Sequence, residues 1–114
     1  MAPHGTQTMI SDESAEKASD FLRDNAEEAG RLRGARIYAE EYRKHLKAIL
    51  MTEIAEQPIG AQERHAYAHV RYADHLNNMR DAVIKDETNK ALREAAVMRI
   101  ETWRSWSANV RGKL

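Results

Sequence analysis

Two of the chain's five histidines, His65 and His69 in the stretch RHAYAH, stand four residues apart. On a helix that spacing places both imidazoles on one face, where ring nitrogens can take zinc or nickel once further ligands join them. The HExxH arrangement is absent, because Ala66-Tyr67-Ala68 separates the pair. Asp74, His75 and the more distant His45 reach it only in a specific fold. The expectation is therefore two polar residues on a short helix, with no metal and no cofactor.

Nucleophilic catalysis has less to stand on. Cysteine is absent, and Ser105 and Ser107 lie in a tryptophan-rich stretch with no histidine near them in sequence. A serine nucleophile needs a base and an orienting acid, and the GxSxG elbow is missing. The neighbouring acids Glu40-Glu41 and Asp86-Glu87 point about 100° apart on a helix and suit solvation or ion pairs. Neither GxGxxG nor a Walker loop occurs. Nothing in these motifs points to an enzyme.

Cations and tyrosines offer a different chemistry. Arg33, Arg36, Arg43, Lys44 and Lys47 surround Tyr38 and Tyr42, and Arg64 and Arg71 flank Tyr67 and Tyr72. Single-stranded nucleic acid is held by cations along its backbone and by aromatic rings stacked on its bases. Tyr67 and Tyr72 suit stacking if exposed, whereas Tyr38, Tyr42 and Tyr72 also occupy positions that a helix would turn inward. Formal net charge is zero, with 18 basic and 18 acidic residues. Residues 11–29 nevertheless carry a net −5, residues 31–47 a net +4 and the chain from Arg99 a net +3. A polyanion could meet the basic segments, or one copy's acidic segment could neutralise another's basic one.

These residues must be positioned by helices. The 114 residues suit a single domain. Five Gly and two Pro among recurrent Ala, Glu, Arg and Leu favour the helical state, in which such side chains lose little rotamer freedom. No apolar run is long enough to span a bilayer, and the start lacks a signal-peptide core, so a soluble intracellular protein is expected. Met1 to Ile10 reads as a frayed, disordered start. Ser11 is a candidate N-cap, with acids at 12, 13 and 16 suiting the positive end of a helix.

From there a helical pattern runs to about Glu56, with Ala35, Tyr38, Tyr42, Leu46, Ile49 and Leu50 on one stripe. Gly30 and Gly34 would mark a bend or a close approach of another backbone. Gln57-Pro58-Ile59-Gly60 ends that helix. A short helix over 61–70 follows, then a long one over about 71–111. Its stripe is Tyr72, Leu76, Met79 and Val83, then Leu92, Ala95, Ala96, Arg99, Trp103, Trp106 and Val110. The polar run Lys85 to Lys90 between them admits a kink or fraying.

The pattern predicts an all-α fold, an antiparallel pair of long helices with a short helix at the corner. Two amphipathic helices bury one seam, so a homo-oligomer is expected. Trp103 and Trp106, one turn apart and facing the Leu22 to Leu32 region, would serve assembly together with Val110.

Three blocks carry a resemblance: RIYAEEYRKHLKAILM (36–51), PIGAQERHAYAHVRYADHL (58–76) and ALREAAVMRIETWRSWSANVR (91–111). They resemble small helical proteins of tailed bacteriophages and prophages that accompany recombination and replication genes. More distantly, the order of helices is similar to the oligomeric recombination mediator of large myophages. That resemblance implies an accessory protein in a bacterial cytoplasm that binds single-stranded DNA as an oligomer. Its partners would be a recombinase and the single-strand binding protein. It implies phosphate contacts at Arg36, Arg43, Lys44, Lys47, Arg64 and Arg71, stacking at Tyr67, and assembly through Trp103 and Trp106. The acidic segment Asp12 to Glu28 has no counterpart there. The competing expectation is a non-enzymatic helical adaptor that binds a phage or host protein through that segment or through the tryptophan end.

Overall fold

The computed structural model describes residues 11–112, and their regular structure is entirely α-helical. Four helices occur among them: α1 (Asp12–Asp24), α2 (Ala26–Thr52), α3 (Ile59–Ala68) and α4 (Val70–Gly112). The expected fraying of Met1 to Ile10 lies outside the described residues. The chain falls into two compact units, one of residues up to Ala29 with those from Thr88 onward, the other of Gly30 to Glu87.

In the first unit Ser11 caps α1 as its sequence predicts. Its Oγ accepts the Ser14 N–H at 3.0 Å, and Asp12 and Glu13 fill the first turn. The long first helix expected over 11–56 is interrupted at Asn25 and ends at Thr52. The Asn25 N–H reaches the Phe21 carbonyl at 2.9 Å, and Ala29 N–H reaches the Asn25 carbonyl at 2.9 Å. The hydrogen-bond ladder thus bridges the interruption.

The Asn25 side chain has a second task. Its amide pairs reciprocally with that of Asn89 on α4, at 3.2 and 3.1 Å, and Arg93 Nε donates to Asn89 Oδ1 at 2.9 Å. Around this lock the buried residues are Ala15, Ala18 and Ala96, so the seam between α1 and α4 is built from small side chains.

The second unit holds the larger core. Leu46 and Leu50 of α2, Ala66 of α3 and Tyr72 of α4 cluster, with Tyr42 and Met51 packed against them. Leu50 is wholly buried, which contributes about 1.5–3 kcal/mol relative to exposure. The inward stripe of α2 is Ala39, Leu46 and Leu50 with half-buried Tyr42. Tyr38, expected in that stripe, is 69% exposed and stacks on Tyr42 with centroids 5.9 Å apart. Small Ala39 takes the inward place, and its carbonyl accepts from His75 Nε2 at 2.7 Å. This contact and the Arg36–Asp86 pair set α2 and α4 antiparallel within the unit.

Two of the alternatives left open for the helix interiors are decided. Gly30 and Gly34 lie within α2, and a Cβ added at either meets nothing within 4 Å among the described residues. No neighbouring backbone requires them. The polar run Lys85 to Lys90 stays helical, because it sends Asp86 and Asn89 inward to partners. Every buried side-chain nitrogen or oxygen among the described residues is hydrogen-bonded, as burial away from water demands.

Replacing Gly30 or Gly34 by Ala should raise stability by about 0.5–1 kcal/mol each, read as a higher urea midpoint with unchanged slope. A fall would show that something packs against that face. Asn25→Ala should cost about 1–3 kcal/mol by leaving the buried Asn89 Nδ2 without its partner, and Asn89→Ala less on that count, because half-buried Asn25 can turn to water. The double variant should cost less than the sum, and strict additivity would show that the pair does not act together.

Candidate functional site

The basic residues expected to follow a nucleic-acid backbone are distributed over different local tasks. Arg36 is the most engaged. Its Nη1 reaches Asp86 Oδ2 at 3.3 Å and Glu87 Oε2 at 3.1 Å, and its Nε lies 3.6 Å from Glu40 Oε1. Its hydrogen bond to Asp86 raises the guanidinium pKa, with Glu40 and Glu87 adding to it. This arginine neutralises a carboxylate that is buried between helices. Lys44 pairs with Glu41 at 3.3 Å, while Arg43, Arg64 and Arg71 are exposed.

Lys47 lies over the ring of Tyr67, its Nζ 4.8 Å from the centroid. The contact to Tyr67 raises the ammonium pKa, and an ammonium on a ring face is the favourable cation–π geometry. Tyr67 also meets Tyr72 edge-on at 5.3 Å. It is half exposed, whereas Tyr72 is buried in the core and offers no free ring face.

At the corner the chain brings together groups that are distant in sequence. After Thr52 the turn tightens through bonds from Glu53 N–H to the Leu50 carbonyl and from Ile54 N–H to that of Met51. The Pro58 carbonyl then accepts from Ala61 and Gln62 N–H to open α3. The Gln62 side chain closes the turn by donating to the Gln57 carbonyl at 2.7 Å and the Ala55 carbonyl at 3.2 Å. This clamp holds Glu53 against α3. Glu53 Oε1 stands 2.9 Å from His65 Nε2 and 3.6 Å from His69 Nε2. The hydrogen bond with His65 holds the Glu53 carboxyl below its ordinary range, with His69 and Arg71 adding to the effect against a smaller opposing influence of burial.

His69 is the hinge of this corner. It ends α3 with extended backbone, φ −71° and ψ 141°, and its carbonyl accepts from Tyr72 and Ala73 to start α4. Its Nδ1 accepts the Arg71 backbone N–H at 3.0 Å, an N-cap made by an imidazole in place of the usual hydroxyl or carboxylate. An Nδ1 that accepts carries no hydrogen, so Nε2 carries it and faces Glu53.

His45, Asp74 and His75 were the groups expected to join His65 and His69 only in a specific fold. The structure sends His75 across to Ala39 and sets His45 beside Tyr42 at 5.6 Å between centroids. Glu53 supplies the third group. Its signal in the sequence was faint: one of two acids, with Glu56, in the six residues up to the proline, on the far side of a turn.

The residues expected at an interface all lie outside full burial. Leu22 and Leu32 are half-buried. Trp103 is half-buried and donates its Nε1–H to Asp12 Oδ1 at 2.6 Å. Trp106 and Val110 are exposed. Trp103 therefore neighbours the start of α1 and not the Leu22 to Leu32 region, and the two tryptophans have separate environments. Leu22, Val97 and Met98 line a groove on one flank of the α1–α4 seam, and Phe21, Leu92 and Ala95 line one on the other. Among the described residues no helix is long and apolar enough to cross a membrane.

No family model matches the chain, and no curated protein or solved structure matches it. The likeness of the three sequence blocks to phage proteins gains no support from these comparisons. The assignments to bacteriophage, DNA recombination and single-stranded DNA that followed from it are corrected accordingly. What stands is an all-α chain with an acidic first helix, apolar flanks and a histidine-rich corner.

Proposed function

We propose that this chain is a non-enzymatic helical adaptor that works by helix-on-helix contact, and that the contact is made first with a second copy of itself. The observation that carries the reading is the inverted packing of the first unit. Its buried apolar residues are the alanines Ala15, Ala18 and Ala96, whereas Leu92, Val97, Met98, Trp106 and Val110 remain exposed, Met98 by 65%. A folded monomer ordinarily does the reverse, placing large aliphatic side chains inside and small ones where space is left.

Charge favours a second copy as the occupant. Residues 11–29 carry a net −5, and in the stretch from 31 to 47 Arg33 and Arg43 are exposed while Arg36 and Lys44 already face carboxylates. Two copies therefore offer each other opposite signs, which guides approach and register more than it adds affinity. Burying the exposed parts of Leu92, Val97, Met98 and Trp106 would contribute on the order of several kcal/mol per copy. Association costs about 4–15 kcal/mol in lost rigid-body freedom and ordering. The balance supports reversible, concentration-dependent assembly in place of a permanent complex.

Light scattering on a concentration series should show a mass above 13.1 kDa that rises with concentration. Met98→Glu combined with Leu92→Glu should hold the chain at monomer mass while circular dichroism keeps its helical signal. A wild-type chain that stays monomeric throughout the series defeats the proposal, as does a double variant that assembles like wild type.

A further inference from the structure

We propose that Glu53, His65 and His69 form a site for one late first-row divalent transition metal, with zinc(II) as the ion to test. The three residues each present one ligand atom, and these atoms lie within 4.8 Å of one another. Around a tetrahedral zinc with bonds of about 2.0–2.1 Å, ligand atoms stand about 3.3–3.4 Å apart. The observed 2.9 Å and 3.6 Å from Glu53 Oε1 to the two Nε2 atoms straddle that separation. Small side-chain rotations bring the set onto a common ion.

The donor set suits this chemistry. Two imidazoles and one carboxylate are ligands that zinc, nickel and copper accept, whereas calcium and magnesium require a shell of oxygens. All three side chains are partly open to solvent, at 42% for Glu53, 31% for His65 and 24% for His69. A fourth position is therefore left for water. Their scaffold is defined by other contacts: the Gln62 clamp fixes the turn that carries Glu53, helix α3 carries His65, and the joint between α3 and α4 carries His69.

Coordination moves the hydrogen in both rings: His65 Nε2, which donates to the Glu53 carboxylate at 2.9 Å, must pass its hydrogen to Nδ1 before it can take the ion, and so must His69. In the metal-free geometry His69 holds its hydrogen on Nε2, because Nδ1 accepts from Arg71 N–H. Zinc must take the Nε2 lone pair. The hydrogen then resides on Nδ1, with no net proton released by that ring, and the cap to Arg71 N–H is exchanged for the metal bond. Metal entry thus reaches the first turn of α4 through the His69 imidazole. The ion would join the end of α2, helix α3 and the start of α4 in a chain that has no cysteine for a covalent link.

The test is calorimetric titration of the full-length, chelator-treated protein with zinc chloride, with cobalt(II) absorption as the readout of coordination. The expected result is one ion per chain, micromolar or tighter, a raised melting temperature, and a shifted Arg71 amide resonance. His65→Ala and Glu53→Gln should each weaken zinc by at least about tenfold. His69→Asn should do the same while retaining a side-chain oxygen that caps α4, which separates loss of a ligand from loss of the helix start. His4→Ala and His45→Ala should bind as wild type. Absence of micromolar binding, a smaller loss in His65→Ala or His69→Asn, or loss of binding in His4→Ala or His45→Ala would overturn the site.

Discussion

An amide removed from water must find another polar partner, and that requirement governs how the helices of this chain can lie against each other. Alanine-lined seams offer almost no shape to distinguish one sliding position from the next. Asn25 and Asn89 supply the distinction in the first unit, since their two hydrogen bonds exist in one register only. The second unit solves the same problem with an ion pair and a histidine, Arg36 to Asp86 and His75 to the Ala39 carbonyl. Buried polar contacts of this kind add little net stability compared with well-packed apolar ones, and their best-attested use is to specify alignment.

Much of the helical organisation was legible from local chemistry. Ser11 followed by acids, Pro58 after an apolar stripe, and the absence of other strong breakers through 61–112 located the main helix boundaries to within a few residues. These signals act within one or two turns and need no tertiary partner. What escaped was long-range. Asn25 gave no sign that its side chain would leave the helix for a residue 64 positions away. Lys85 to Lys90 looked unsuited to a seam, because its pairing with Arg36, Asn25 and Arg93 is visible only in three dimensions. Tyr38 and Ala39 are adjacent, and the larger apolar residue would ordinarily be turned inward. In the structure the smaller one is turned inward, and its carbonyl meets His75.

The same distinction separates the two halves of the candidate chemistry. His65 and His69 announce themselves through their spacing, whereas Glu53 enters by way of a turn whose geometry depends on Gln62. The basic residues teach the converse lesson. Counted along the chain, Arg36, Lys44 and Lys47 look like a supply of free positive charge. In the fold Arg36 is occupied by three carboxylates, Lys44 by one and Lys47 by an aromatic ring. A guanidinium that neutralises a buried acid contributes to cohesion before it contributes to any external field.

Sequence separation of the contacts imposes an order on how this chain acquires its structure. The cluster of Leu46, Leu50, Ala66 and Tyr72 is closed by loops of fewer than about 30 residues. The Arg36–Asp86 pair spans 50 residues, the Asn25–Asn89 pair 64, and the bond between Trp103 and Asp12 spans 91. Each outer contact becomes entropically cheaper once the one inside it has formed. Loop entropy therefore favours growth outward from Leu50, and the α1 segment meets its partners, Asn89 and Trp103, only through the second half of α4.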